Sequence, residues 1–360
     1  MQYGLIRILS AIAGKSKKIL DAGCILFCFI MLFSMTGCGT GKDKIKAAIK
    51  TGGNSYSVKN LDFCKIADNE ICTVESIDYG HNTVAVRVWI YNLFSSSNNR
   101  EIIVLYDSEG TLKSQINTRD AIGSDKACVD LAINTSGNLV VFARSQGDDN
   151  VVHNYLYSFD SAGKLAGEAL DLNFDESFFP LNFVIGTDDS LYFGSYSKFG
   201  MMTLGREIYV LDSEGNPFFD VSYERLVGNL YQTGDMIYTD SNKGGTDSGN
   251  SAQLLPIDTA NRKIGDSIDI SKVTSSGGAV CSGSDGFYLI NFDGIYSINL
   301  GTQKTKEILL WKDTDTDLTA FENDFPAFMI SSDKIFLLSS LPSKTRGTAL
   351  ITVSLLTREG

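Results

Sequence analysis

Three stretches decide the architecture: EIIVLYDSEGTLKSQI at 101–116, NYLYSFDSAGKLAGEA at 154–169 and EIYVLDSEGNPFFDV at 207–221. Each is an apolar, β-prone run, an acidic turn and a second extended run. The Asp at the start of the turn offers a side-chain acceptor to the backbone. The Gly three positions later tolerates the positive φ that a three-residue hairpin loop needs. Looser copies follow at QLLPIDTANRKIGDSI (253–268), GIYSINLGTQKTKEIL (294–309) and TALITVSLLTREG (348–360). The anchors Asp107, Asp160, Asp212, Asp258 and Asn299 are 53, 52, 46 and 41 residues apart.

A second series interleaves with the first. It begins at YGHNTVAVRVWIYN (79–92) and recurs as NTSGNLVVFARS (134–145), GTDDSLYFGSYS (186–197), TGDMIYTDSNK (233–243), SDGFYLINF (284–292) and SSDKIFLLSS (331–340). Each is a turn leading into a strand, and helical periodicity is nearly absent beyond residue 54. The unit is therefore four strands over about 40–55 residues, the size of a propeller blade. Six inner strand pairs point to an all-β, six-bladed β-propeller. Seven blades and an irregular sandwich array are the alternatives. The last pair has no outer strand after it. NSYSVKNLDF (54–63) is a spare strand at the other end, and supplying it to the last blade would close the ring and remove an open edge.

Ahead of the repeats, Arg7, Lys15, Lys17 and Lys18 form a basic front, followed by the eleven-residue apolar run CILFCFIMLFS (24–34). A spanning helix wants about 20 apolar residues, so this run has the length of a secretory signal core. Small residues and Cys38 come next. Met35-Thr36-Gly37-Cys38 resembles the lipobox of bacterial lipoproteins, with Met where Leu is commoner. The resemblance implies a signal peptide over 1–37, a diacylglycerol on Cys38, and anchorage on the extracytoplasmic face of the cell membrane. An uncleaved signal anchor is the alternative. The Gly- and Lys-rich segment 38–53 reads as a flexible tether, with a short helix allowed at Asp43–Lys50, and residues 54–360 as the propeller.

The chain carries 31 basic and 43 acidic residues; without the signal segment the balance is 27 to 42, a net charge of −15. This argues against nucleic acid and anionic surfaces as partners, and suits neutral or cationic ones. No CxxC pair or Cys/His ligand spacing suggests zinc. Cys64, Cys72, Cys128 and Cys281 sit in apolar strand patterns and read as buried thiols, with a Cys64–Cys72 bridge as the alternative.

Catalytic signals are weak. The two histidines, His81 and His153, fall in a turn and a strand, and no GxSxG elbow surrounds a serine. No P-loop or dinucleotide fingerprint appears, so no cofactor is expected. In DTDTDLTAFEND (313–324), Asp313, Asp315, Asp317 and Asp324 occupy positions 1, 3, 5 and 12 of a calcium loop. Leu318 stands where that loop needs Gly, so a solvated acidic connector is the competing reading. Paired carboxylates at the propeller centre could serve a carbohydrate-active enzyme. The sialidase Asp-box is absent, the tryptophans being Trp89 and Trp311 only.

The lipobox, tether and blades together resemble the front part of clostridial extracellular solute-binding lipoproteins, which carry a propeller-like region between anchor and binding domain. LLWKDTDTDLTAFENDFPAFMISSDKIFLLSS (309–340) resembles their last blade. TALITVSLLTREG resembles the strand that hands over to the solute-binding domain. The resemblance implies a membrane-tethered module that binds a small molecule or protein without turnover, with no ligand residues carried over. It could be accessory to, or a truncated part of, a solute-uptake protein. A sensory or structural surface module is the remaining alternative.

Overall fold

A computed structural model describes residues 48–51, 53–61, 67, 69–147, 151–174, 178–180, 182–194, 207–222, 228–242, 252–275, 277–314, 327–342 and 349–359. The chain enters through β1 (Ala48–Thr51) and β2 (Asn54–Asn60). The first blade is β3 (Glu70–Gly80), β4 (Thr83–Asn92), β5 (Arg100–Asp107) and β6 (Leu112–Asn117). The second is β7 (Lys126–Ile133), β8 (Leu139–Gln146), β9 (Val152–Phe159) and β10 (Leu170–Leu172). The third is β11 (Asn182–Ile185), β12 (Leu191–Gly194), β13 (Glu207–Leu211) and β14 (Pro217–Ser222). The fourth is β15 (Leu230–Thr233), β16 (Met236–Asn242), β17 (Ala252–Asp258) and β18 (Lys263–Ile264), with β19 (Ile268–Asp269) also on β17. The fifth is β20 (Ala279–Gly283), β21 (Gly286–Ile290), β22 (Gly294–Asn299) and β23 (Lys304–Leu310). The sixth joins both chain ends: β24 (Ala327–Ser331), β25 (Lys334–Pro342), β26 (Ala349–Arg358), then β2 and β1.

The six sheets form a ring, a six-bladed β-propeller. First strands of successive blades pack on one another, β3 on β7, β7 on β11, β11 on β15, β15 on β20 and β20 on β24. The apolar core accordingly divides into six clusters, one at each junction between blades. Strand β5 shows why the sequence runs are continuously apolar rather than alternating. Ile102, Val104 and Tyr106 pack toward blade six, while Ile103 and Leu105 pack toward blade two. A blade has no solvated face, so both sides of the pleat are hydrophobic.

Closure by the spare N-terminal strand is observed. β2 pairs antiparallel with β26, Tyr56 opposite Arg358 and Asn60 opposite Ser354. Residues 48–51, placed in the tether by composition, instead add a fifth strand, with Ala48 opposite Ser57. The chain hydrogen-bonds back to blade five, Leu310 N–H donating to Thr51 Oγ1 at 3.0 Å. The LLWKD run lies at the end of blade five: Trp311 is buried at the five–six junction, its indole N–H donating to Asn291 O at 2.7 Å.

The acidic turns are built as their residues demand. In all three, one Asp Oδ1 accepts the N–H groups two and four positions on: Asp107 from Glu109 and Thr111, Asp160 from Ala162 and Lys164, Asp212 from Glu214 and Asn216. Gly110, Gly163 and Gly215 have φ of 69°, 76° and 81°. At Gly110 a Cβ would also meet Leu61 Cδ2 at 2.4 Å. The looser fourth and fifth turns put Arg262 (φ 53°) and Gln303 (φ 52°) in the left-handed region. Their glycines stand elsewhere, so the repeat fades in sequence while the hairpin persists.

Candidate functional site

Antiparallel order fixes two unlike rims. Turns between first and second strands, and between third and fourth, fall on one rim. Connections between second and third strands, and from one blade to the next, fall on the other.

The tight-turn rim is net acidic, with exposed Lys113, Lys164, Arg262, Lys263 and Lys304 among its carboxylates, and its innermost carboxylates clasp neighbouring blades. Ile133 N–H donates to Asp78 Oδ2 at 2.6 Å. Thr135 donates to Asp189 through its N–H (2.9 Å) and its hydroxyl (2.6 Å). Asp285 accepts the Ser332 hydroxyl at 2.7 Å and the Tyr288 hydroxyl. Its carboxyl is held below the ordinary Asp value: these hydrogen bonds outweigh desolvation, the largest single influence, which acts upward.

Polar residues also recur on the innermost strands. Strand register makes Ser76, Asp130 and Asn182 equivalent, opposite Arg87, Phe142 and Gly194. Asn229, just before β15 and bonded to the Asp240 backbone, continues the series into blade four. Asp130 accepts Leu131 N–H (3.0 Å) and, across the junction, Phe183 N–H (3.2 Å). Asp240 accepts Asn229 N–H (2.7 Å) and the Tyr231 hydroxyl (3.1 Å). Desolvation raises the Asp240 carboxyl above its ordinary value. A Cβ at Gly228 would fall 1.8 Å from Asp240 Oδ1 and would displace that carboxyl from its hydrogen bonds.

Between blades one and two lies a buried ion pair. Arg87 Nε donates to Glu101 Oε1 at 2.6 Å, and its two terminal nitrogens donate to Val129 O and Cys128 O. Desolvation pushes Glu101 up, against the pull of Arg87. The guanidinium thus ties a carboxylate and two carbonyls of the next blade into one network.

The opposite rim presents exposed apolar side chains on hydrogen-bonded turns. Asn92 Oδ1 accepts Phe94 N–H and Ser95 N–H, each at 3.0 Å, and Asn99 Oδ1 accepts Asn92 N–H. This turn holds Phe94 85% exposed. In blade five, Asn291 Oδ1 accepts Asp293 N–H (2.9 Å) and Gly294 N–H (3.1 Å), holding Phe292 78% exposed. Leu93, Val151 and Phe179 are exposed on the same rim. Sequence reading missed these points; the Asn before each Phe was the available signal.

Of the residues singled out by sequence, Cys38, Cys64, Asp315, Asp317 and Asp324 lie outside the described residues. Asp313 ends a short 3-10 turn after β23. Among the described residues no group of three His, Cys, Asp or Glu could hold a metal. Cys72 and Cys128 are buried, as the apolar strand patterns implied, and Cys281 is half-buried; the alternative of a Cys64–Cys72 bridge turns on Cys64, outside the described residues. Burial pushes the Cys281 thiol up to about 12, which leaves it protonated and unreactive. His81 sits with Asn82 in a two-residue hairpin turn, both at positive φ. His153 lies on β9, stacked on Tyr155.

No known family profile matches the chain, and no curated protein does. Solved structures match at low identity. A gluconolactonase from Xanthomonas campestris is 11% identical over 88% of this chain and 96% of its own, with a TM-score of 0.47. BamB from Moraxella catarrhalis is 13% identical over 83% and 97%, with a TM-score of 0.36. YCF48, solved with a D1 peptide, is 11% identical over 89% and 99%, with a TM-score of 0.42. These are enzymes and non-enzymes alike, and no function transfers at this distance.

Proposed function

We propose that this protein is an extracytoplasmic, lipid-anchored propeller that binds a partner rather than turning over a substrate. The supporting observation is how the described inner carboxylates are used. Asp78, Asp130, Asp189 and Asp285 are each occupied in bonds between blades. A glycosidase needs two free carboxyls facing a common substrate. Recognition then passes to the rims. The tight-turn rim displays Asp160, Asp188, Asp212, Glu214, Asp235 and Asp258, which favours a cationic protein segment or small molecule. The signal pattern and Cys38 supply the anchor, and a place beside a solute-uptake system follows from the resemblance above. BamB and the peptide-bound YCF48 are propellers of comparable span.

The test is proximity cross-linking of the full chain on intact producing cells, beside a variant carrying Glu214→Lys and Asp235→Lys, two exposed side chains outside the turn hydrogen bonds above. The proposal expects one extracytoplasmic partner, captured at least tenfold less by the variant. Glycoside turnover by purified protein, lost on changing one carboxylate, would overturn it.

A further inference from the structure

We propose that the rim carrying Phe94 and Phe292 is the face laid against the lipid bilayer, with these two rings entering the headgroup boundary. The inference rests on the anchor reading of Cys38 and adds to it an orientation and a contact. Cys38 lies ten positions before Ala48, where the chain joins blade six. Ten residues span at most about 35 Å. The strand at 48–51 takes up chain that would otherwise be slack, so the propeller is held close to the surface that holds the lipid. It cannot stand free on a long stalk.

The two rims then compete for that surface. The tight-turn rim presents carboxylates in excess over its exposed Lys and Arg side chains, a net charge that an anionic leaflet repels. The other presents the two most exposed large apolar side chains, Phe94 and Phe292, at 85% and 78%, against 37–44% for Leu112, Leu165, Phe218 and Met236 on the tight-turn rim, and Phe is among the side chains that bury into the headgroup boundary. Phe292 is on blade five and Phe94 on blade one, the two neighbours of the blade that receives the anchor. Their placement is built in. Each ring follows an Asn whose Oδ1 accepts nearby backbone N–H groups, so the backbone that carries the ring is held in a turn at the rim. A turn already formed loses little backbone freedom when its ring inserts. The acidic rim then faces away from the membrane, where the proposed partner would approach.

The experiment uses the full-length chain, purified in detergent from membranes and reconstituted into phosphatidylcholine vesicles with a spin-labelled lipid quencher. A fluorescent label goes on Ser97→Cys, beside Phe94, and in a second preparation on Ser136→Cys, in a tight turn on the other rim; both serines are exposed. The unsubstituted chain gives the labelling background. The expected result is quenching at 97 at least about threefold stronger than at 136. Adding Phe94→Asp and Phe292→Asp should bring 97 down to the level of 136 while the protein still co-floats with the vesicles. Vesicle-bound protein quenched equally at both positions, or more at 136, would overturn the orientation and leave the anchor standing. Protein that does not co-float would overturn the anchor reading and this inference with it.

Discussion

Replacing Tyr56 by Ala tests how the ring is shut. Tyr56 lies on the N-terminal strand, is fully buried, and packs at the junction of blades five and six with Ile290, Ile335, Leu337 and Leu356. Its hydroxyl donates to Ser332 O at 3.0 Å. Burial pushes the phenol up to about 12, so it remains a donor at neutral pH. Removing a buried aromatic ring costs about 3–5 kcal/mol. Loss of the hydrogen bond adds about 1 kcal/mol. The sum, about 4–6 kcal/mol, is a large part of the roughly 5–15 kcal/mol that stabilises a folded protein. Tyr56→Phe removes the hydroxyl alone and should cost about 1 kcal/mol. Urea unfolding of the full-length chain, followed through Trp89 and Trp311, reads both; Trp311 shares the same core cluster. In a thermal scan the Ala variant should melt lower by on the order of 10 °C. If Tyr56→Ala unfolds within about 1 kcal/mol of the unsubstituted protein, residues 54–60 do not close the ring and the reasoning fails.

Three further outcomes follow from particular side chains. Asp240 is densely surrounded and its carboxyl is raised; the folded state therefore binds its proton more tightly than the unfolded chain does. Its contribution is fully present below the unfolded value of about 3.9 and is lost as pH rises through the folded one. Asp240→Asn should leave stability unchanged near pH 3 and gain on the unsubstituted protein above that, as chemical denaturation across pH would show. Gln303→Gly relieves a left-handed φ of 52° and removes a buried Oε1 without a hydrogen bond. It should stabilise by about 1 kcal/mol, seen as a higher melting temperature. Arg87→Met should cost about 3–5 kcal/mol by leaving Glu101 buried and unpaired, and adding Glu101→Leu should recover most of it; a double-mutant cycle in urea measures the recovery.

The blades were legible because each sheet is covered on both faces and each strong turn is self-contained. The run IIVLY at 102–106 and the Asp-x-x-Gly of DSEG need no tertiary information. Ring closure was legible from one unpaired strand at each end. The fifth strand, AIKT at 48–51, was not. It is short and lies in Lys- and Gly-rich chain, and becomes a strand only by pairing with β2 and meeting blade five at Thr51. Arg87 was equally opaque. A charge inside an apolar strand is explained only by Glu101 and two carbonyls some forty residues on. The exposed phenylalanines hid in strand-like text, since NF at 291–292 reads as the end of an apolar run. Only the turn geometry turns that ring outward.

The measurement that bears most directly on the whole account is the mass of the N-terminal peptide of the protein extracted from the membranes of the cells that make it. The account predicts a chain beginning at Cys38, its thiol carrying a diacylglycerol, with residues 1–37 removed. A peptide retaining residues 1–37, or one beginning elsewhere with an unmodified Cys38, would contradict it.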